Sequence, residues 1–386
     1  MNGLNTRFTA SFWILEDQSM GKVLFVATVV KTHVMEFHIP YLKMLKEEGW
    51  QTAVAARNDY ENPEDCVIPY CDVYYDIPFE RNPLKPGNVK AYRRLKKIID
   101  DGEFDIIHCH TPVGGMIGRL AAESARKHGT RVFYTAHGFH FYKGAPLMNW
   151  LVYYPAERFL SYKTDELITI NKEDYKRAKS FHAKETVYMP GIGIDINRFS
   201  RNTVAGSDKR KEFGIRDEQT FILSVGEVNK NKNHRVVIEV LPEFKNCKYI
   251  ICGRGPLKEE YEQLAEELGV SDRVILAGYR NDVADFYKSA DVFVFPSYRE
   301  GLPVAVMEAM AAGLPIVAAR NRGTNDLLEG SRLLFDPADR EELKSALKKA
   351  INEDCTDEIT RNQEILKNYS LNNTLQLMKK FYFGEH

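Results

Sequence analysis

Two glutamates bracket the run Glu300-Gly301-Leu302-Pro303-Val304-Ala305-Val306-Met307-Glu308. Pro303 suits the first position of a helix, where its missing N–H costs nothing, and Gly313 is a natural C-terminal stop. The spacing predicts a helix that starts beside Glu300 and carries Glu308 about two turns in. Its free amides, from about residue 301 to 304, would point out of the N-terminus and suit phosphate oxygens. A carboxylate on either side of those amides can accept hydrogen bonds from hydroxyls. Two glutamates at this spacing also occur on ordinary solvent-facing helices, so the elements around them decide.

Those elements read as strand, loop, helix, strand. The apolar run Asp291-Val292-Phe293-Val294-Phe295-Pro296-Ser297 precedes the pair and Leu314-Pro315-Ile316-Val317-Ala318 follows it. In open α/β sheets ligands bind at the carboxyl ends of the strands, which is where the pair falls. The same alternation runs along the chain. Strands are expected at 23–27, 52–56, 104–108, 132–135, 166–170 and 186–188, with a helix over 36–48 ended by Gly49. After Pro190 a second series follows at 221–225, 249–252, 274–277, 292–295 and 316–318. Strands alternating with helices imply parallel sheets, and two such series imply two Rossmann-like α/β domains facing across a cleft. The expected division is 1–19 as an N-terminal extension, 20–190 and 191–365 as the two domains, and 366–386 as a terminal helix. Glycines and a proline at 190–195 mark the linker.

Composition agrees with a large globular enzyme. The chain has 386 residues, 44% apolar and 28% charged, enough for two full cores. Its net charge of −1 gives no general attraction to nucleic acid. No run approaches the ~20 apolar residues of a membrane span, and residues 8–15 make a poor signal peptide before Glu16 and Asp17. Six cysteines, at 66, 71, 109, 247, 252 and 355, show no C-x-x-C pairing and read as reduced thiols of a cytoplasmic protein.

The segment from Gly278 to Gly330 resembles the nucleotide-sugar site of the family-4 glycosyltransferases, retaining enzymes of the GT-B fold whose signature is the E-x7-E pair. Further matches fall in order: Ser224-Val225-Gly226 with Lys232, Cys252-Gly253-Arg254-Gly255-Pro256, Gly278-Tyr279 and Ser289-Ala290-Asp291. In the N-terminal half, His33, His38-Ile39-Pro40-Tyr41-Leu42, His110-Thr111-Pro112 and Thr135-Ala136-His137-Gly138-Phe139-His140 resemble the subgroup that builds bacterial capsules and exopolysaccharides. The resemblance covers nearly the whole chain from about Met20.

Such a site transfers a sugar from a nucleotide diphosphate, and its main demand is to stabilise the departing diphosphate. The resemblance implies that Lys232 supplies positive charge there, that Glu308 accepts from the ribose hydroxyls, and that Glu300 faces the donor sugar. Gly226, Gly301, Leu302 and Pro303 complete the donor site, with Tyr279 and Arg280 in the loop expected to hold uracil. Family members commonly carry an arginine five residues before the phosphate lysine. Here Glu227 stands in its place, so Arg254 or Lys230 is expected to provide the missing charge. The glycine-rich loop often found after the first strand is absent too, leaving Thr28, Lys31 or His33 to line that side. His137 is the leading residue on the acceptor side, with His33, His110 and His140, and no nucleophile is assigned.

No D-x-D pair suited to a Mg²⁺-bridged diphosphate occurs, so neither metal nor cofactor is expected. Residues 85–99 carry six basic residues with Val89, Tyr92, Leu95 and Ile99 at helical spacing, a segment that could meet anionic lipid at the inner face of the plasma membrane. The expected function is transfer of a sugar from a UDP-sugar to a polyprenyl-diphosphate-linked saccharide. Two alternatives remain open: a GT-B-type UDP-sugar epimerase, against which the E-x7-E helix speaks, and a non-catalytic nucleotide-sugar-binding homologue, suggested by Glu227 and the missing glycine loop.

Overall fold

The computed structural model describes residues 20–201 and 208–384. The expected extension over 1–19 lies outside the described residues. Seven parallel strands form the first sheet: β1 (Lys22–Val29), β2 (Gln51–Arg57), β3 (Val73–Asp76), β4 (Ile106–His110), β5 (Arg131–Ala136), β6 (Glu166–Thr169) and β7 (Glu185–Tyr188). Their spatial order is β3-β2-β1-β4-β5-β6-β7. The second sheet holds β8 (Thr220–Val225), β9 (Cys247–Cys252), β10 (Val274–Gly278), β11 (Val292–Phe295), β12 (Ile316–Ala319) and β13 (Leu334–Phe335) in the order β10-β9-β8-β11-β12-β13.

Unbroken apolar runs such as Val23-Leu24-Phe25-Val26-Ala27, wholly buried, are what a parallel sheet covered by helices on both faces requires. Each sheet accordingly carries two apolar cores, one per face. In each the order reverses beside the first strand, between β1 and β4 and between β8 and β11, opening a crevice at their carboxyl ends. The loops leaving β1, β4 and β5 carry His33, Thr111 and His137, and those leaving β8 and β11 carry Gly226, Lys232 and Glu300. The topology therefore aims both sets of expected residues at one cleft.

Three details differ from the expectation. β3 and β13 are short edge strands whose mixed sequences carry little periodicity, and both escaped it. The fourth strand runs two residues further, to His110, which is therefore buried in the sheet rather than in a loop. The terminal helix begins later: Leu366 ends helix Thr356–Lys367, and a new helix, Leu371–Phe383, starts after Ser370, whose side chain caps it at Asn373 N (3.3 Å). The break occurs where Ile194 of the linker bridges Ser370. That last helix does cross back to the first domain: Met378 and Tyr382 join its core, and Tyr382 Oη lies 2.6 Å from His108 Nδ1.

Among the described residues no helix is long and apolar enough to cross a membrane. The basic segment forms helix Gly87–Gly102, whose Ala91, Leu95 and Ile99 are buried against the first sheet. Its stripe is thus used in the core and cannot enter lipid, while Val89, expected on that stripe, faces outward. Lys96 and Lys97 pair with Asp100 and Asp101 one turn on.

Candidate active site

The helix after β11 spans Val304–Ala311, with Pro303 (φ −81°, ψ 107°) as its cap rather than its first turn. The chain bends at Gly301 and Leu302, and the helix's free amides follow Pro303. Glu300 Oε1 lies 2.8 Å from Lys232 Nζ, a half-buried ion pair in which the ammonium also sits 5.1 Å over the Phe295 ring. Asn229 Oδ1 fixes the lysine's loop by accepting from Lys232 N at 3.0 Å. Gly226 (φ +153°) leaves room for this arrangement, since a Cβ there would stand 3.3 Å from Lys232 Cε. Gly253 is packed more closely still, its Cβ position 1.8 Å from Gly226 O.

Glu308 sits on the second turn of the helix. Burial pushes its carboxyl up to about 7, opposed by the hydroxyl of Tyr287, which donates to Glu308 Oε2 at 2.8 Å, and by Arg198. At neutral pH it therefore stands poised between its two forms. Glu227 is exposed and accepts from Asn229 Nδ2 at 2.7 Å. Arg254 is exposed with its guanidinium 5.7 Å over Tyr279, itself an open aromatic face. Arg280, expected beside Tyr279 in the base loop, is committed elsewhere: its guanidinium pairs with Asp282 (2.6 Å) and Glu212 (3.0 Å).

Across the cleft, His137 and His140 line a cavity of about 240 Å³ with Asn231, Arg299, Glu300 and Arg322. His137 also borders a second, mostly apolar cavity of about 650 Å³ in the first domain, with Thr28, His33, Arg81, Leu84 and Met116. Thr28 and His33 thus line that side as expected, whereas Lys31 turns to the Tyr60 ring. His110 Nδ1 is 3.4 Å from His137 Nε2, and His140 stacks on Tyr153. Burial holds His137 neutral, down to about 4, so it meets a substrate as an imidazole and not as a cation.

The two halves touch beside this cavity. A Cβ on Gly301 would lie 2.5 Å from His137 O, and one on Gly191 of the linker 2.3 Å from Leu302. Arg322, unforeseen in the sequence, ties the contact together: Nη1 pairs with buried Asp174 at 2.7 Å, Nη2 donates to Phe139 O at 3.0 Å, and Nε to Glu300 O at 3.2 Å. Gly138 (φ +133°) admits it, since a Cβ there would stand 2.8 Å from Nη2. Tyr287 was equally unforeseen, and His38 was read as part of the subgroup's motif without a role in the site. The H-x-H pair at 108 and 110 was the available signal, because alternate residues of a strand share one face.

Comparison with known proteins agrees with this geometry. Residues 22–171 match the family model described as glycosyl transferase 4-like, and 207–369 that of glycosyl transferases group 1. The chain belongs to the family-4 glycosyltransferases. It is 44% identical over 314 residues to the putative glycosyltransferase EpsD of Bacillus subtilis, covering 80% of this chain and 81% of that one. It is 29% identical over 265 residues to the Escherichia coli UDP-Gal:α-D-GlcNAc-diphosphoundecaprenol α-1,3-galactosyltransferase, 64% of this chain and 66% of that one. Among solved structures, Anabaena HepE in complex with UDP and glucose superposes with a TM-score of 0.75 at 18% identity, over 94% of this glycosyltransferase and all of HepE. That likeness bears on the GT-B fold of this glycosyltransferase, two parallel-sheet α/β domains with a cleft between them.

Proposed function

We propose that this glycosyltransferase moves a sugar, with retention of configuration, from a UDP-sugar to a polyprenyl-diphosphate-linked saccharide in cell-surface polysaccharide assembly. The observation that carries the reading is the meeting of Glu300, paired with Lys232 just ahead of helix Val304–Ala311, with His137 around one cavity. Lys232 and the amides take the diphosphate and stabilise the charge that develops as it leaves. Glu300, released from the lysine, accepts from a donor-sugar hydroxyl, and Glu308 accepts from the ribose. Neutral His137 donates an N–H to the sugar from the opposite wall. With the leaving phosphate and the acceptor hydroxyl on one face, the phosphate oxygen takes the acceptor's proton and no protein nucleophile is needed.

The apolar cavity beside His137 suits the lipid-linked acceptor, and the name of the E. coli relative favours that class. A membrane contact is better served by helix Leu147–Ser161 than by the basic helix. Leu147, Met148, Leu151, Val152 and Phe159 are exposed on it, and Val152 and Tyr153 also border the cavity. The basic residues of helix Gly87–Gly102 then meet anionic headgroups.

The test is UDP release from a panel of UDP-sugars, with and without a polyprenyl-diphosphate-linked monosaccharide. Release that requires the acceptor supports the transferase reading. UDP-sugar isomerisation without acceptor points to the epimerase, and binding without turnover across the panel to a non-catalytic homologue.

A further inference from the structure

Among the described residues five histidines are buried and His137 is half-buried beside them, and these six divide into two kinds. His108 uses both ring nitrogens, Nδ1 with Tyr382 Oη at 2.6 Å and Nε2 with Thr135 Oγ1 at 2.8 Å. His234 likewise meets Tyr249 Oη and Glu227 O. The other four, His33, His38, His110 and His137, pack ring against ring, and the one hydrogen-bond contact of their side chains among the described residues is His110 Nδ1 with His137 Nε2: His33 Nε2, both nitrogens of His38 and His110 Nε2 have no hydrogen-bond partner. Buried polar atoms in folded proteins are almost always satisfied. Three rings leaving the same need open in one place, with His137 beside them, imply a shared partner.

We propose that His33, His38, His110 and His137 form a binding site for a divalent transition-metal ion of the zinc class. One ligand nitrogen from each ring falls within 4.8 Å of the others. Tetrahedral coordination with Zn–N near 2.0–2.1 Å needs nitrogen pairs at roughly 3.4 Å. His137 Nε2 and His110 Nδ1 already stand at 3.4 Å. Four imidazoles with no carboxylate favour zinc, copper or nickel over Mg²⁺. The absence of a D-x-D pair spoke only to a diphosphate-bridging Mg²⁺, so this site is of another kind.

The ion would tie the turn after β1 (His33, His38) to the end of β4 (His110) and to the loop after β5 (His137). Imidazoles leave its two charges uncompensated. His33 and His137 border the large cavity, so an anion entering there completes the balance.

Untagged protein, stripped with a chelator and shown to be folded by circular dichroism, is titrated with Co²⁺ and separately dialysed against Zn²⁺ with metal analysis. The expected result is about one ion per chain, intense visible bands of four-coordinate Co²⁺, and a raised melting temperature with Zn²⁺. His38→Phe should abolish all three; His33→Asn, at the cavity edge, guards against a folding defect in the buried variant and should weaken binding strongly. Folded wild-type protein that shows no bands and retains no zinc would overturn the proposal, as would variants that keep the full stoichiometry.

Discussion

Glu308 offers the sharpest quantitative test of the donor site. Free, its carboxyl titrates at about 7 because burial disfavours the charge. To accept from two ribose hydroxyls it must be ionised, so donor binding pulls the group back toward the ordinary carboxylate range and expels a proton. If the bound form stays ionised throughout, apparent affinity falls as the free group protonates: about 10-fold between pH 8 and pH 6, close to one pKa unit or 1.4 kcal/mol. At pH 7, roughly half a proton should leave per donor bound. A UDP-sugar is the right titrant, because its diphosphate is esterified at both ends and does not itself titrate in this range. Calorimetry in two buffers of different ionisation enthalpy reads the proton count, and Glu308→Gln should erase both the release and the pH dependence. The same shift has a stability sign. An acid whose folded pKa is raised lowers stability as pH rises from its unfolded value to about 7. Glu308→Gln should therefore melt higher than wild type at pH 8, by up to about 3 kcal/mol, with the difference vanishing below about pH 4.5. Flat affinity from pH 6 to pH 8, or an undiminished proton release in the variant, would refute the placement of the ribose on Glu308.

Gly226→Ala combines a backbone at φ +153° with a methyl 3.3 Å from Lys232 Cε; strain of about 1–3 kcal/mol should appear as weaker UDP-sugar binding with little change in the rest of the fold. Arg322→Met leaves Asp174 buried without its partner and should cost about 3–5 kcal/mol in denaturant unfolding, while the double variant with Asp174→Asn should recover part of it. Leu147→Glu with Leu151→Glu should abolish retention on vesicles rich in anionic lipid at low salt, leaving turnover of a water-soluble acceptor intact; unchanged retention would remove this helix from the membrane contact.

Much of this was legible because parallel sheets write themselves as long apolar runs and because ligand loops sit at the ends of those runs. Glu300, Glu308 and Lys232 could be placed from such runs alone once the family pattern was seen. The edge strands β3 and β13 could not, since two to four mixed residues carry no period. Arg322 was hidden for a different reason: nothing in Asn321-Arg322-Gly323 distinguishes an arginine that reaches across a cleft from one in solvent. Arg280 illustrates the converse, a residue in the right loop whose charge is claimed by Asp282 and Glu212. The histidines needed the third dimension, because His33, His110 and His137 lie in loops and strands far apart in sequence.

The central claim is that the diphosphate leaves against Lys232 at the helix N-terminus. The measurement that tests it most directly is turnover of Lys232→Ala beside Lys245→Ala, an exposed lysine ahead of the amino end of β9, with the donor and acceptor that support wild-type transfer. The account predicts a kcat loss of about 10²–10³-fold for the first and a near wild-type rate for the second. Lys232→Ala turning over like wild type would contradict it.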